Sequence, residues 1–338
     1  MPYETWDRLS STPQLDSDEH LCFYSEKKIW LISKTYYPVP EQNWGHRIIH
    51  KGGYIMFYDL GTSKWSDINH FNKLTDEKQM EELVFTFKEK ICVLLFENFG
   101  QIKFHQLAVF DEKENEFTTW NEFEGSRINI KNTENEVRNP VIMADGELPD
   151  GSKLLIASVE GTMQLFYLKI DFDSKNATIE KASYHAFDSM LIPIHAAAQG
   201  PFSIIEYSNR AACSVNWDPS NHQRLVIEQH VRDEVEPKTR IKGDPPRFAF
   251  TGAKLLSLLD NNRWLHIAGF RQKGMTGHEF RGEIWLLEFP FSNEPHWKQI
   301  DEELPPEAKD AFLAFDKKTL TLFVIDKNHG IFKKKLEI

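Results

Sequence analysis

The segment Tyr58-Asp59-Leu60-Gly61-Thr62-Ser63-Lys64-Trp65 contains the pattern that decides the fold of this chain. An apolar run ends on an aromatic residue and an aspartate, a polar turn follows, and a new strand starts at a tryptophan. Related phrases recur at intervals of roughly 45 to 70 residues, which indicates one supersecondary unit stacked several times. The related phrases are Val109-Phe110-Asp111 with Trp120, Asp171-Phe172-Asp173 with Ile179, Asn216-Trp217-Asp218 with Leu225, and Glu288-Phe289-Pro290 with Trp297.

The composition favours a mainly β protein that can bury one extensive core. The chain has 338 residues, of which 41% are hydrophobic and 13% are aromatic. Its 25 phenylalanines fall mostly in short apolar runs bounded by Asn, Asp, Gly and Pro, which is typical of many short strands. A chain of this length does not have to divide into two domains.

The second repeat unit shows the strand pattern most clearly. It is predicted to form four strands, namely Leu83 to Phe87, Ile91 to Phe96, Lys103 to Phe110 and Glu116 to Asn121. A lone four-stranded meander would leave two apolar faces in water, so copies of it must stack face to face. Radial stacking that closes on itself is a β-propeller.

We therefore predict one all-β domain over 1–338, a six-bladed β-propeller with four antiparallel strands in each blade. The last blade lacks a fourth strand at the C-terminus, and Glu4 to Leu9 resembles fourth strands such as Ser63 to Ile68. We expect the N-terminal strand to join the C-terminal blade, which removes two open sheet edges. A seventh blade would have to come from the connections near 122–139, 182–200 and 230–247. The predicted blades span approximately 21–68, 83–121, 141–181, 196–229, 248–300, and 312–338 together with 3–9.

The segment from Tyr58 to Trp65 resembles the kelch-repeat signature, in which a third strand ends on an aromatic residue and Asp and the outer strand begins with Trp. In the fifth unit, Trp264 to Phe270 and Gly282 to Phe289 resemble the second and third strands of the same family. Its double glycine is represented here by Ala268-Gly269. The resemblance covers nearly the whole chain and implies a kelch-like propeller, with a WD-repeat or another propeller type as the alternative.

The repeated aspartates and aromatic residues are predicted to be structural. An Asp at a strand end can accept hydrogen bonds from the backbone of the following turn, and the aromatic rings can pack between adjacent blades. The cysteines, Cys22, Cys92 and Cys213, lie in apolar runs without metal-binding or CxxC spacing, which indicates buried reduced thiols.

Charge and hydropathy limit the partners that we expect. The net charge of -11 and the sequence pI of 5.7 disfavour nucleic-acid binding, because the surface repels phosphates. The basic stretch from Lys238 to Arg247 is interrupted by acids and is interpreted as a solvated loop. The N-terminus is polar and no run reaches the roughly 18 apolar residues of a membrane span. We expect no signal peptide, no membrane contact and a cytoplasmic protein, with the nucleus as an alternative.

Two long connections between second and third strands are the best candidates for a binding surface. We expect both to be loops, over Tyr36 to Lys51 in the first blade and over Arg271 to Arg281 in the fifth. Aromatic and arginine side chains dominate binding hot spots, and cations on an acidic chain favour an acidic or C-terminal peptide as partner. The predicted partner-binding residues are Tyr37, Trp44, His46, Arg47, Arg271, Lys273, His278 and Arg281.

The motifs that the sequence lacks favour a non-catalytic protein. The chain has no Gly-rich phosphate loop, no HExxH and no Gly-x-Ser-x-Gly, and only His46 and His50 approach the spacing of a metal pair. We therefore predict a recognition or scaffold module without catalytic residues, cofactor or metal. One alternative is a propeller enzyme of the lyase, cyclase or hydrolase type with an active site at the channel mouth, and another is a subunit of an obligate assembly. The residues considered for the enzyme are His195, His266, His278, Glu97, Glu160 and Glu206.

Overall fold

The structure is a computed structural model, in which regular structure is almost entirely β. Apart from one short 3-10 helix, every regular element in the described residues is a strand, which confirms the all-β class. The described residues are 3–13, 19–25, 27–38, 48–72, 80–88, 90–98, 102–123, 127–128, 141–147, 151–159, 162–186, 195–199, 202–208, 211–217, 225–229, 253–260, 263–273, 277–288 and 296–338.

The described strands form six antiparallel sheets, numbered here in chain order. Sheet 1 contains β2 (Glu19–Ser25), β3 (Lys28–Pro38), β4 (Ile48–Asp59), β5 (Lys64–Trp65) and β6 (Asn69–Asn72). Sheet 2 contains β7 (Met80–Phe87), β8 (Lys90–Asn98), β9 (Ile102–Asp111), β10 (Glu116–Glu122) and β11 (Arg127–Ile128). Sheet 3 contains β12 (Val141–Glu147), β13 (Lys153–Val159), β14 (Thr162–Asp171) and β15 (Asn176–Ala186).

The other three sheets follow the same meander order. Sheet 4 contains β16 (His195–Gln199), β17 (Phe202–Ser208), β18 (Ala211–Trp217) and β19 (Leu225–Gln229). Sheet 5 contains β20 (Ala253–Asp260), β21 (Arg263–Lys273), β22 (Gly277–Glu288) and β23 (His296–Glu303). Sheet 6 contains β24 (Phe312–Asp316), β25 (Thr321–Asp326), β26 (Gly330–Lys335) and the N-terminal strand β1 (Asp7–Ser10).

The fourth strand of the first two sheets is divided into two short pieces. In sheet 1, β5 pairs with the end of β4 at Tyr58, whereas β6 pairs with β4 further back, at Gly52 to Ile55. In sheet 2, β10 pairs with the end of β9 at Asp111, whereas β11 pairs with the start of β9 at Ile102 and Lys103. The four strands predicted for the second unit therefore exist, and the outer one continues as a separate piece.

The two chain ends meet in sheet 6. β1 pairs antiparallel with β26, with Arg8 opposite Phe332, so the predicted pairing of the N-terminal and C-terminal strands is confirmed. A Cβ at Gly330 would collide with the carbonyl oxygen of Ser10, and its φ of +117° also favours glycine. This close approach lets β1 lie against the start of β26.

A five-residue turn begins at the aspartate of the repeated phrase. The Asp59 carboxylate accepts hydrogen bonds from the backbone N–H of Gly61 at 2.7 Å and of Thr62 at 3.1 Å. Asp111 and Asp171 each accept from the two equivalent N–H groups of their own turns. This geometry confirms the structural role predicted for the repeated aspartate at Asp59 and Asp111, and in the third unit the role falls to Asp171, before the aromatic residue, rather than to Asp173 after it.

The core lies between neighbouring sheets. One apolar cluster joins sheets 2 and 3, a second joins sheets 5 and 6, and further clusters join sheet 1 to sheet 6 and to sheet 2. Aromatic pairs cross these junctions, for example Phe104 with Phe166 at a centroid distance of 5.4 Å and Trp120 with Phe172 at 5.7 Å. Sheet 4 contacts sheet 3 through β12 and β16, and sheet 5 through β16 and β20.

Two predicted loops are strands in the structure. Tyr36 lies opposite His50 and Pro38 opposite Ile48, so β3 and β4 continue as paired strands into both ends of the first predicted loop, whose residues 39–47 lie outside the described ones. Arg271 lies opposite Glu279 and Lys273 opposite Gly277, so the second predicted loop is also a hairpin. Pairing of the two strands gives hydrogen-bond partners to backbone N–H and C=O groups that would bond to water in a free loop.

No helix in the described ranges has the length and apolar character that a membrane span requires. The 3-10 helix η1 (Pro306–Asp310) connects sheets 5 and 6 and contacts β22 and β25. Its Ala308 is fully buried, although the surrounding sequence is acidic.

Candidate functional site

Two long hairpins distinguish sheets 1 and 5 from sheet 6, which contacts both of them. We call the paired segments Thr35–Pro38 and Ile48–Lys51 the first arm, and Phe270–Lys273 and Gly277–Arg281 the second arm. Strands β3 and β21 have 11 residues each, and the equivalent strand β25 of sheet 6 has 6. At about 3.3 Å per residue, each arm extends about 16 Å further than the turn of sheet 6.

The sequence of the second arm favours a strand hairpin with a stabilised base. Phe270 and Phe280 are cross-strand partners, and their rings meet edge to face at 5.7 Å. Such aromatic pairs stabilise two-stranded segments. The base is also tied to the connection before η1, because Leu304 N–H donates to the carbonyl of Gly282 at 2.8 Å. A Cβ at Gly282 would collide with the Leu304 carbonyl oxygen, so this contact requires glycine.

Glu279 pairs with one of the predicted partner-binding cations and lies opposite another in the strand register. Arg281 Nη2 is 3.2 Å from Glu279 Oε2, and Arg271 lies opposite Glu279 in the strand register. Both side chains of the Arg281–Glu279 pair remain partly exposed, so water screens the interaction. The charge of the arm is therefore lower than the count of its cations suggests, a feature that sequence reasoning missed.

Lys254 links the base of the second arm to η1. Its ammonium donates to the carbonyls of Ala308 at 2.8 Å and Lys309 at 2.6 Å, and it lies 5.8 Å from the Phe280 ring. Burial lowers the pKa of Lys254 to about 8, while the carboxylates of Asp310 and Asp326 act in the opposite direction. The lysine therefore holds η1 at the junction between sheets 5 and 6.

The short turn of sheet 6 holds a buried polar cluster at the chain ends. Tyr3 is 3% exposed, and its hydroxyl donates to Asp326 Oδ2 at 2.9 Å. His329 Nδ1 lies 3.0 Å from the same carboxylate oxygen, and Thr12 Oγ1 donates to the Asp326 carbonyl at 2.5 Å. Burial and the hydrogen bond to Asp326 raise the pKa of Tyr3 above its ordinary value. This cluster is not visible in the sequence, because Tyr3 and Asp326 are 323 positions apart.

The structure places half of the predicted partner-binding residues on one arm. Arg271, Lys273, His278 and Arg281 lie on the second arm, where His278 is opposite Gln272. Tyr37 lies on the first arm opposite Ile49, and its side chain is outside the described part of the structure. Trp44, His46 and Arg47 lie outside the described residues. Their role in binding stays a prediction.

The described residues among those considered for an enzyme are spread over sheets 2, 4 and 5. His266 is 0% exposed in sheet 5, with its ring edge-on to Trp297 at 4.8 Å. His195 and Glu206 are direct cross-strand partners in sheet 4, and Glu160 is outside the described residues. Glu97 lies 3.1 Å from His105 at a β-bulge of sheet 2, a pair that the sequence analysis did not include.

The described part of the chain has neither a group of metal ligands nor a reactive thiol at Cys92. It contains no group of three or more His, Cys, Asp and Glu residues that can hold a metal ion. Cys92 is fully buried and Cys22 partly buried, and both are free thiols. Burial raises the pKa of Cys92 to about 12, which keeps this thiol protonated and inert at neutral pH.

Comparisons with known proteins place the chain in no family. Neither a family profile nor a curated protein sequence matches it. Among solved structures, it is similar to an auxiliary nutrient binding protein from Bacteroides thetaiotaomicron, with 10% sequence identity and a TM-score of 0.44. The matched region covers 96% of this chain and 68% of that protein.

Proposed function

We propose that the six sheets are the blades of a closed, kelch-like β-propeller that acts as a recognition or scaffold module. The contacts between first strands support a ring, because β24 contacts both β2 and β20, β16 contacts both β12 and β20, and β7 contacts β12. The apolar clusters between sheets 1 and 2 and between sheets 6 and 1 support the same arrangement. Pairing of β1 with β26 would then close the ring within its last blade.

The observation that carries the recognition role is the pair of arms. Sheets 1 and 5 both contact sheet 6, and their arms extend about 16 Å beyond the equivalent turn of that sheet. Such a pair would border a cleft whose floor is the turn Asp326–Gly330. Paired strands hold contact residues more rigidly than free loops, which lowers the entropy cost of binding.

The proposed partner is a protein that presents an acidic or C-terminal peptide segment to this cleft. Arg271, Lys273 and Arg281 lie on the second arm, and the chain as a whole has a net charge of -11. A local set of cations on an acidic protein selects partners by charge and orients them during encounter. Glu279 would narrow this selection, because an acidic partner must compete with it for Arg281.

Shortening the arms tests this proposal. In two variants, residues 35–52 or residues 270–280 are replaced by Asn-Gly, which forms a two-residue hairpin turn between the register pairs Lys34–Gly53 and Gly269–Arg281. A third variant carries both replacements. Proteins retained from a lysate of the source cells by intact protein and by each variant are compared by quantitative mass spectrometry. We expect a defined set of proteins to be lost when either arm is shortened.

Charge variants show whether the cations select that set. The substitution Arg271→Glu is expected to weaken the retention of these partner proteins at least tenfold, which is a typical effect of one unfavourable charge at a contact. Lys113→Glu changes an exposed lysine in the turn after β9, at the opposite strand ends, and serves as the matched control. Unchanged retention by a folded variant that lacks both arms would rule out the proposed surface.

A further inference from the structure

The outer strand of sheet 5 ends before the strand that it covers. β23 pairs with β22 only as far as Glu283, and one further bond joins the Leu304 N–H to the carbonyl of Gly282. In sheets 2 and 3, by contrast, the outer strands reach the first residue of β9 and of β14. Residues 277–281 of β22 therefore have an outer edge, on the side away from β21, that no strand in the described part of the chain covers.

The sequence after β23 keeps this edge open. Pro305 and Pro306 follow Leu304, and a proline has no N–H with which to continue the pairing. The chain then enters η1 and leaves sheet 5 for sheet 6. The open edge is therefore set by the sequence at the end of the outer strand.

The edge itself has little protection against further pairing. Proline and lysine are the residues that most often block an exposed strand edge, and residues 277–281 contain neither. The two charged residues of this segment, Glu279 and Arg281, are paired with each other. An incoming strand therefore meets no unpaired charge of its own sign on this segment alone.

Two residues of the segment direct their backbone groups to the open side. The carbonyl of Gly282 points toward the outer strand, because it accepts the hydrogen bond from Leu304. Backbone direction alternates along a strand, so the N–H and C=O groups of Phe280 and His278 point to the same side, and those of Arg281 and Glu279 point toward β21. Such a row of outward groups accepts an extended peptide as an additional strand.

The side chains of the segment define what such a peptide must carry. Residues that lie directly opposite in an antiparallel pair share one face of the sheet. A peptide residue opposite Phe280 would meet its partly exposed ring, which is already in contact with Phe270, so an apolar side chain suits this position. The residues before and after it in the peptide would lie on the other face, which carries Arg281.

Charge favours acidic residues at those flanking positions. The second arm contains three cations, Arg271, Lys273 and Arg281, and one acid, Glu279. The whole chain, by contrast, has a net charge of -11. A positively charged segment on an acidic protein attracts an acidic partner and disfavours a basic one.

We propose that the second arm binds its partner by strand addition, with an acidic, extended segment that pairs antiparallel to the outer edge of residues 277–281. The inference rests on the recognition role proposed above, and it adds the binding mode and the partner's pattern, in which acidic and apolar residues alternate. Because only Phe280 and His278 offer outward backbone groups, a short peptide binds weakly, with a dissociation constant on the order of 1 mM.

Amide NMR of the full, isotopically labelled chain tests the pairing with a synthetic probe. The probe is an acetylated hexapeptide amide of alternating glutamate and valine, added up to about 5 mM. It is expected to shift the amides of residues 277–282 in a saturable manner. The same peptide with lysine in place of glutamate is expected to bind roughly fivefold more weakly or less.

Methylation of the peptide backbone makes the test specific without any change to the protein. With valine opposite Phe280, the valine N–H groups point to the arm and the glutamate N–H groups point away from it. Methylation of the valine nitrogens is therefore expected to abolish the shifts. Methylation of the glutamate nitrogens is the matched control and is expected to change the affinity by no more than about twofold.

A protein variant separates this inference from the recognition role itself. His278→Pro removes one outward N–H and leaves the bonds to β21, because proline is tolerated on an open edge. It is expected to weaken peptide binding roughly fivefold or more, and His278→Ala is expected to bind as the natural chain does. If His278→Pro retains the cellular proteins that are lost on shortening of the second arm, strand addition is wrong and the recognition role stands.

Three further outcomes would overturn strand addition. The acidic peptide shifts none of the amides of residues 277–282, or the peptide with methylated valine nitrogens still binds. Alternatively, sedimentation velocity shows a dimer of the full chain that His278→Pro dissociates, which would assign the edge to a second copy.

Discussion

At the scale of single residues, Tyr3 connects the N-terminal segment to the last sheet by a hydrogen bond and a ring contact. Its hydroxyl donates to the buried carboxylate of Asp326, and its ring stacks on Phe332 at a centroid distance of 4.2 Å. The substitution Tyr3→Phe keeps the ring and removes the hydroxyl. Because a hydrogen bond to a charged group is worth about 1.5–3 kcal/mol, we expect the free energy of unfolding to fall by about that amount at pH 7.

The pH dependence of this contribution separates the hydrogen bond from ring packing. The folded protein raises the pKa of Tyr3, so the contribution is complete below the unfolded value of about 10 and declines as the pH rises above it. The stability difference between the natural chain and Tyr3→Phe is therefore expected to narrow between pH 9 and about pH 11. Urea unfolding curves of both proteins across this pH range measure the stability difference. A difference that is constant with pH would be inconsistent with a hydroxyl that burial and Asp326 together hold protonated.

At the scale of elements, the five-residue turn places its last residue in the left-handed region. Ser63, Asn115 and Lys175 occupy this position after Asp59, Asp111 and Asp171, and Leu320 occupies it after Asp316 with a φ of +56°. Left-handed backbone costs a side-chain-bearing residue roughly 1–2 kcal/mol, and Asn tolerates it better than Leu does. Leu320 therefore carries strain that the turn itself imposes.

We expect Leu320→Gly to leave the free energy of unfolding unchanged or to raise it by up to about 1 kcal/mol, because relief of strain offsets both the freedom that glycine gains in the unfolded chain and the lost contacts of the partly buried leucine. Lys317→Gly in the same turn is the matched control, because Lys317 is exposed and does not have a positive φ. That control is expected to lower stability by up to about 1 kcal/mol, since glycine gains more freedom in the unfolded chain. The denaturant midpoint of each variant is compared with that of the natural chain. Equal signs for both substitutions would argue against strain at Leu320.

The aspartate at the start of the turn links this element to acid stability. Backbone N–H groups of Lys113 and Glu114 lower the pKa of Asp111, so its contribution is present above pH 4 and is lost as the pH falls through the lowered pKa. Asp111→Asn keeps a side-chain acceptor for the turn and removes the charge. We expect this variant to be less stable than the natural chain at pH 7 and to lose less stability than the natural chain on acidification. Parallel unfolding curves at pH 7 and pH 3 test both expectations.

The same elements show how far the sequence determines the fold. The turn after Asp59 and the pairing of Glu4–Leu9 with the last unit were predictable, because both repeat a local phrase. The arms were predicted as loops because charged residues and glycine interrupt the alternation of apolar residues near Arg271–Arg281, while pairing depends on cross-strand partners such as Phe270 and Phe280. Contacts such as Tyr3 with Asp326 arise only when distant segments meet, so no local pattern encodes them.

At the scale of the whole molecule, each sheet depends on its neighbours, because the apolar clusters lie between sheets. The N-terminal segment contributes to two of these clusters. Tyr3 and Trp6 pack into the cluster shared by sheets 5 and 6, and Leu9 packs against the cluster shared by sheets 1 and 6. The segment therefore connects three sheets at once, in addition to its pairing with β26.

Removal of residues 1–13 is expected to destabilise the whole protein rather than one edge. Loss of a buried large aromatic side chain costs about 3–5 kcal/mol, and the truncation removes Tyr3 and Trp6 together and leaves the edge of β26 unpaired. A synthetic peptide of residues 1–13 is expected to restore the thermal midpoint in proportion to its concentration, because it binds the folded state only. The same peptide with Tyr3→Ala and Trp6→Ala is the control. If the truncated chain melts at the temperature of the full chain, the two ends do not hold the sheets together.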